Sequence, residues 1–362
     1  MKITLFIGGL TNGGAERVTC NLANYLVQHG HQVDILTMSE SASYPLDERV
    51  TRSVLLKDSE RKGLIKNTLK RRSRLKQYLK TNQCDCYIVM LPVTTIFLLS
   101  MYKHTQAPII ASERSYPAVL SLIMQRLLLL LLCKRAKGWV FQTPQAREWY
   151  GRATGNSKVT IIPNAINEAF LRPIHEVEQQ KTIVAIGRMS PPKNYPLLLK
   201  AFSQVTADHP DYHLLILGEG KLRKKLEVLT QQLHIEKRVD MPGYVTNIPD
   251  RLKVSSIYVL SSNYEGMPNT LMEAMALGLP CIATDCDGGG ARFLIDNGKN
   301  GLLVPKGDIE ALAGAMRRML GDRDFAEQCG REAHKICERL APEKVYGQWE
   351  QFIKEVAGNK ES

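Results

Sequence analysis

KITLFIGGLTNGGAERVTCNLANYLVQHGHQVDILTM, residues 2–38, is the segment from which the fold is read. Lys2 to Ile7 is a strand-length apolar run, and Gly8 and Gly9 end it. GGLTNGG is a glycine-rich turn. Ala15, Val18, Leu22 and Leu26 then recur at helical spacing up to Gly30, a residue suited to ending a helix. Gln32 to Met38 resumes as a strand. Strand, turn, helix and strand in this order form a βαβ unit, the building block of a parallel, doubly wound sheet.

Further strands are expected at CYIVML, APIIAS, GWVFQT and VTIIP, and LRPIHEVEQQK (Leu171 to Lys181) reads as a polar linker without periodicity. The alternation then starts again with TIVAIG, the helix YPLLLKAFSQV, the strand YHLLILGEG and the helix KLRKKLEVLTQQL, and SIYVLSS, PCIAT and GLLVP add strands. The predicted class is α/β: two doubly wound Rossmann-like domains facing a cleft, with ligand at the carboxyl ends of the strands. The expected division is 1–172, a first α/β domain; 173–340, a second α/β domain; and 341–362, a terminal helix packing back toward the first domain.

A chain of 362 residues is long for a single core, and 44% hydrophobic with 23% charged residues describes a globular protein. The eight cysteines show no zinc-type spacing, which points to reduced thiols. The opening apolar run is too short for a secretory core. AVLSLIMQRLLLLLLCKR (Ala118 to Arg135) is broken by Gln125 and Arg126, so no transmembrane helix is expected. Residues 1–175 hold 24 Lys and Arg against 11 Asp and Glu, and residues 176–362 hold 24 against 25. The first half therefore faces something anionic. A nucleic acid, a membrane surface and a pyrophosphate-linked lipid all fit the charge.

SSNYEGMPNTLMEAMALGLP, Ser261 to Pro280, carries the most chemistry. An apolar strand ends at Ser261 or Ser262, and Glu265 and Gly266 occupy a loop. Pro268 suits a first helical turn, and Gly278 suits the helix end. Backbone N–H groups of Asn269, Thr270 and Leu271 would face an anion, with Glu273 about one turn in. Two carboxylates flanking an oxyanion cradle match a nucleotide sugar, which offers hydroxyls on both sides of a diphosphate. GRMSPPKN, Gly187 to Asn194, adds Arg188 and Lys193 in a proline-stiffened loop, one a bidentate fork for phosphate and the other a compact charge. The turn at Gly13 and Gly14 lacks both the G-x-G-x-x-G pattern and the Lys-Ser/Thr of a nucleotide-triphosphate loop.

The pair Glu265 and Glu273, eight apart and filled by Gly266, Met267, Pro268 and Asn269, resembles the signature of the family 4 retaining glycosyltransferases of GT-B fold. The resemblance extends over nearly the whole chain and lies nearest to bacterial enzymes that extend undecaprenyl-diphosphate-linked oligosaccharides. It implies that Glu265 meets the donor sugar near its C3 and C4 hydroxyls and that Glu273 binds the ribose. Arg188 and Lys193 would neutralise the donor diphosphate without a metal, so the catalytic set is Glu265, Arg188 and Lys193. Gly14, Gly218, Gly243, Gly266, Met267, Pro268, Asn269, Thr270 and Leu271 would complete the donor site. Glu16 and Arg17 would lie near the acceptor. Glu113 and Arg114, in SERSYP, are candidates for the acceptor or phosphate side or for an ion pair within the loop; many relatives carry His where Arg114 stands. Asp285-Cys286-Asp287 resembles the metal-binding Asp-x-Asp of a different glycosyltransferase fold and reads here as a polar loop. No metal or other cofactor is expected.

RKGLIKNTLKRRSRLKQYLK, Arg61 to Lys80, reads as a basic helix. Leu64, Ile65, Leu69, Leu75 and Leu79 would form an apolar side, and Lys66, Lys70 and Arg74 a positive one for anionic headgroups or a lipid-linked diphosphate. The leucine run 127–132 is expected as a buried helix, with a place in the membrane interface as the alternative. The expected activity is retaining transfer of a hexose or N-acetylhexosamine from a UDP-sugar to a lipid-linked, undecaprenyl-diphosphate glycan acceptor. The expected place is cytoplasmic, peripheral at the anionic inner membrane face, with no nucleic-acid partner. The rival readings are a nucleotide-sugar epimerase and a non-catalytic membrane-surface protein.

Overall fold

A computed structural model describes residues 1–11, 13–41, 44–116, 120–173 and 179–358. The chain forms two compact units, Met1–Asn164 with Glu343–Ser362, and Ala165–Pro342. Unit 1 holds β1 (Lys2–Ile7), β2 (Gln32–Thr37), β3 (Thr51–Val54), β4 (Cys86–Met90), β5 (Ile109–Glu113), β6 (Gly138–Phe141) and β7 (Lys158–Ile161). All pair in parallel, in the order β3-β2-β1-β4-β5-β6-β7. Unit 2 holds β8 (Thr182–Ile186), β9 (His213–Leu217), β10 (Val239–Gly243), β11 (Ile257–Leu260), β12 (Cys281–Asp285) and β13 (Leu302–Pro305). They too are parallel, in the order β10-β9-β8-β11-β12-β13. Strand order reverses between β1 and β4 in one sheet and between β8 and β11 in the other, and such switch points open a crevice at the carboxyl ends of the strands.

Central strands such as β1 and β4 are buried on both faces and read as near-continuous apolar runs, as helices on both sides of a parallel sheet require. On one face of the unit 1 sheet, Phe6, Tyr87, Val89, Trp139 and Phe141 pack with Leu75, Leu79, Leu98, Leu128 and Leu132 from the covering helices. In unit 2, Ile183, Leu214, Ile216 and Val259 pack with Leu198, Phe202, Leu312 and Met316.

The chain leaves unit 1 at Asn164, ahead of the polar stretch Leu171–Lys181, because Ile166 and Phe170 are already buried in unit 2. Residues 174–178 of that stretch lie outside the described residues. The helix Pro342–Ala357 packs on unit 1: Trp349 is fully buried, Tyr346 meets Tyr25 with ring centroids 5.4 Å apart, and His31 bonds Glu350 at 3.0 Å. Among the described residues no helix is long and apolar enough to cross a membrane, and all eight cysteines are free thiols.

One expectation is corrected. The leucine run is not a buried helix: Leu128 and Leu132 enter the core, but Leu127, Leu130 and Leu131 are exposed, since six consecutive leucines on one coil cannot all face one sheet. The basic stretch does form a helix, Leu64–Thr81, but of its expected apolar side only Leu75 and Leu79 are buried.

Candidate active site

At the unit 2 switch point the loops after β8 and β11 are joined by hydrogen bonds. Asn263 N–H donates to Pro192 O at 2.7 Å, and its amide donates to Pro191 O at 3.2 Å. Asn194 Nδ2 donates to Asn263 Oδ1 at 3.0 Å, and Ser261 Oγ donates to Lys193 O at 2.9 Å. Asn194 takes the left-handed conformation (φ 46°), which asparagine tolerates better than most residues, and the helix Tyr195–Val205 starts there. The staple fixes Lys193 beside Glu265. Lys193 Nζ donates to Glu265 Oε1 at 2.7 Å, and Ser262 Oγ donates to the same oxygen at 2.7 Å. Both charged side chains are largely buried, so their attraction is screened less than at an open surface. Arg188 is exposed; its carbonyl accepts from Ser190 Oγ at 3.3 Å, and its guanidinium has no hydrogen bond or ion pair among the described residues.

The floor of this edge is glycine-built. A Cβ on Gly218 would lie 2.2 Å from Gly187 O, and one on Gly290 would lie 1.8 Å from Gly266 O. Larger residues at either place would push the loops apart. Gly218 N–H donates to Gly243 O at 2.9 Å, which sets the loops after β9 and β10 side by side. Arg223 braces them: its Nε donates to both carboxylate oxygens of Glu219 (2.8 and 3.0 Å) and its Nη2 to Met241 O (2.6 Å). Arg223 also holds the Glu219 carboxyl below its ordinary pKa.

The signature helix runs Asn269–Ala276, with Pro268 at its cap position, one residue earlier than expected, and Gly278 (φ 73°) just past its end. Glu273 is buried within it. Thr270 Oγ1 lies 2.7 Å from the Tyr258 hydroxyl. The expected cradle of three N–H groups loses one member: Leu271 N–H turns back to Pro268 O at 3.1 Å, tightening the first turn.

The Asp285-Cys286-Asp287 loop places its carboxylates on cations. Arg292 bonds Asp285, with Nε to Oδ1 at 2.9 Å, and Lys306 Nζ donates to Asp287 Oδ2 at 2.7 Å. Among the described residues no cluster of three His, Cys, Asp or Glu side chains could hold a metal ion.

In unit 1, Gly14 opens the helix Gly14–Gln28, the Tyr44 hydroxyl donates to Gly13 O at 3.0 Å, and the Glu16 carboxylate folds over Gly13. Arg17 lies in the same helix's first turn, and Asn12 lies outside the described residues. The other acceptor candidates are largely spent internally. Glu113, the last residue of β5, is buried; it accepts from the Tyr150 hydroxyl at 2.6 Å and from Ser115 N–H and Oγ, each at 2.9 Å. Arg114 is buried as well, bonded to Ser112 Oγ (2.8 Å), Ile162 O (3.2 Å) and Asn164 Oδ1 (3.1 Å), with its guanidinium 4.9 Å from the Trp349 ring centre. Burial pulls its pKa down to about 9, which still leaves it charged at neutral pH. These two side chains form neither an ion pair with each other nor an open charged surface. Lys70 and Arg74 both grip Glu60, at 2.9 and 2.5 Å, and hold its carboxyl well below the usual range; Lys66 is exposed and has no partner among the described residues.

The sequence reading does not single out Asn194, Asn263, Ser262 or Arg223. Asn and Ser in a loop are commonplace, and only the pairing of two loops 68 residues or more apart gives them a task.

Two parallel doubly wound sheets, each with one switch point, are the architecture of the GT-B glycosyltransferases. The family described as "Glycosyltransferase Family 4" matches residues 12–170, and the one described as "Glycosyl transferases group 1" matches residues 167–336. The chain belongs to the family 4 glycosyltransferases. It is 27% identical, over 98% of its length and 99% of the relative's, to a Campylobacter jejuni enzyme named GalNAc-alpha-(1->4)-GalNAc-alpha-(1->3)-diNAcBac-PP-undecaprenol alpha-1,4-N-acetyl-D-galactosaminyltransferase. An exopolysaccharide phosphotransferase of Streptomyces coelicolor is 33% identical over 64% of this chain, which spans only 25% of that protein. Sucrose-phosphate synthase from Thermosynechococcus elongatus shares the fold with a TM-score of 0.85 at 20% identity, covering 98% of this chain and 99% of that one. Anabaena HepE, solved in complex with UDP, gives 0.83 at 17% identity, covering 98% and 100%.

Proposed function

We propose that the protein is a retaining glycosyltransferase that moves a hexose or N-acetylhexosamine from a UDP-sugar to an undecaprenyl-diphosphate-linked glycan, in bacterial glycan, capsule or O-antigen assembly at the inner face of the cytoplasmic membrane. The observation that carries the reading is the stapled Lys193–Glu265 pair beside the unpartnered Arg188. A diphosphate whose charge grows as the glycosidic bond breaks is met by Arg188 and Lys193, of which Lys193 is already held in place by Glu265. Glu265 serves two tasks: one oxygen fixes Lys193, and the other is left for sugar hydroxyls. Glu273 receives the ribose. Gly14, Gly218, Gly243 and the run Gly266, Met267, Pro268, Asn269, Thr270 and Leu271 line the donor. The acceptor hydroxyl attacks from the face the diphosphate leaves, which keeps the anomeric configuration. Glu16, Arg17 and Lys66 remain as acceptor contacts. The name of the Campylobacter relative, with its undecaprenol-diphosphate substrate, and the UDP complex of the Anabaena neighbour support the choice of acceptor and nucleotide.

The test is a panel of UDP-sugars offered with short polyprenyl-diphosphate glycans, the products read by mass spectrometry and their anomeric configuration by NMR. Acceptor-dependent gain of one α-linked sugar is expected. Isomerisation of the nucleotide sugar without acceptor would establish the epimerase instead.

A further inference from the structure

The helix layer on one face of the unit 1 sheet ends in unpartnered apolar side chains. In the helix Leu64–Thr81, Arg71 Nε donates to Met38 O at 3.1 Å, just past the carboxyl end of β2, while Asn82 beyond the helix bonds Lys2 at the start of β1. The seven residues from Arg71 back to Leu64 therefore carry the helix about 10 Å beyond the carboxyl edge of the sheet. Leu64 and Ile65 on that projection are 82% and 77% exposed, and Leu69 is 62% exposed. The helix Pro92–Leu99 starts directly after β4 and exposes Val93 in its first turn. The helix Leu122–Arg126 continues through the turn of Leu127–Leu132 into the run Cys133–Arg135, which leads to the start of β6, so its first turn also lies at the carboxyl edge. Leu122 and Ile123 there are 73% and 81% exposed. Further along, Leu127, Leu130 and Leu131 keep the spacing of Ile123 and stay exposed, while Leu128 and Leu132 pack inward with Leu75 and Leu79. Three helices of one layer thus present apolar first turns at one rim.

The rim is cationic. Residues 57–80 hold ten Lys and Arg against Asp58 and Glu60, and both carboxylates are already paired within the strip. Lys62 and Lys66 flank Leu64 and Ile65, Arg126 adjoins Leu127, and none of the three has an ion pair among the described residues. Apolar side chains rimmed by unpaired cations fit an anionic bilayer surface, where the first enter the acyl boundary and the second stay with the headgroups. We propose that the enzyme docks on anionic membrane by inserting these helix starts, the projecting end of Leu64–Thr81 and the exposed side of residues 122–131, rather than by laying a basic helix flat on the lipid. The proposal deepens the reading of a lipid-linked acceptor and rests on it for its biological setting.

The experiment is sedimentation of the full chain with vesicles of phosphatidylglycerol and phosphatidylethanolamine, beside vesicles of phosphatidylcholine alone. The wild-type chain is expected to bind the anionic vesicles and to keep a salt-resistant fraction. The triple variant Leu64→Ser, Ile65→Ser, Leu69→Ser should lose about two orders of magnitude in partitioning, and Leu122→Ser with Ile123→Ser about one, since exposed side chains are changed without touching the core. Both should keep full transfer to a short-chain acceptor free of vesicles. Absence of wild-type binding to anionic vesicles, or serine variants that bind as wild type, overturns the proposal. A concentration-dependent dimer lost in the same variants assigns the rim to a second copy of the chain and overturns it too. Failure of all transfer with vesicle binding intact sinks the enzymatic reading and leaves the docking surface standing.

Discussion

At the end of β8 and β11 in unit 2, polar groups are turned toward one another across two loops: Lys193 on Glu265, Asn194 on Asn263, Ser261 on the Lys193 carbonyl. At the end of β5 in unit 1, charges are turned inward: Glu113 on Tyr150, and Arg114 on Ser112, Ile162 and Asn164 under Trp349. The first arrangement ties two loops at the carboxyl ends of the strands and holds a partly buried charge pair there in fixed geometry. The second buries charge to hold a sheet edge and the terminal helix together. A charged residue after a parallel strand is therefore ambiguous in sequence, and what settles its role is where its partners lie.

The sharpest break in that comparison comes from charge deletion on both sides. Arg188→Ala and Lys193→Ala should each lower kcat by about 10²–10³-fold, the loss typical of one donor at a developing anion, and exposed Arg188 should do so with an unchanged melting temperature. Arg114→Ala should instead lower the melting temperature, because it strips buried bonds from Ser112 Oγ and the Ile162 carbonyl and leaves a cavity against the Trp349 ring. Steady-state kinetics beside calorimetric melting checks both. A stable, inactive Arg114→Ala would place that residue in the reaction and erase the contrast.

The two glutamates sharpen the donor side. A bond to a charged group contributes ~1.5–3 kcal/mol against ~0.5–1.5 for a neutral one. Glu273→Gln should therefore weaken free UDP and donor alike, by roughly ten-fold. Glu265→Gln should lower turnover, since it loosens both the sugar contact and Lys193, while UDP binds nearly as before. Isothermal calorimetry with UDP, run beside kinetics, separates them, and the reverse pattern would mean that the donor lies the other way round.

How much of this was legible follows from the same contrast. The βαβ opening and the restart after Lys181 carried the fold, because buried parallel strands must be apolar runs and helices must show their spacing. Of the candidate site, what was legible is local: Arg188 and Lys193 share the loop after β8, and Glu265 lies in the loop that leads into the helix carrying Glu273. The bond from Asn194 to Asn263 was not, because it joins residues 69 positions apart. Nor was the fate of the basic helix. Lys70 and Arg74 look free in sequence, and only the fold brings Glu60 between them.

That pairing predicts a modest effect. Arg74→Ala should leave the KM for acceptor within about two-fold, the small change expected of an exposed ion pair that does not touch substrate. It should also flatten the acid limb of stability. Pairing depresses the folded-state pKa of Glu60, so its contribution is complete above the unfolded value, about 4.3, and is lost as pH falls through the folded one. Thermal melts from pH 7 to pH 3 for wild type and variant check this. A ten-fold rise in acceptor KM would show that Arg74 leaves Glu60 to meet substrate.

The smallest effect is expected from chelation. Asp285 and Asp287 are the one place where the sequence suggests a metal, and each carboxylate is occupied, by Arg292 and by Lys306. To bind a divalent ion they would have to give up both ion pairs, and Cys286 between them is buried, with its thiol pushed up to about 12, a poor source of thiolate. In the proposed reaction the leaving charge is met by Arg188 and Lys193. EDTA should thus change turnover by less than about two-fold, and Asp287→Asn should leave the response to added Mg²⁺ or Mn²⁺ flat. Complete loss in EDTA, restored by either ion and abolished in Asp287→Asn, would transfer the work of stabilising the diphosphate from the Lys193 edge to the loop after β12.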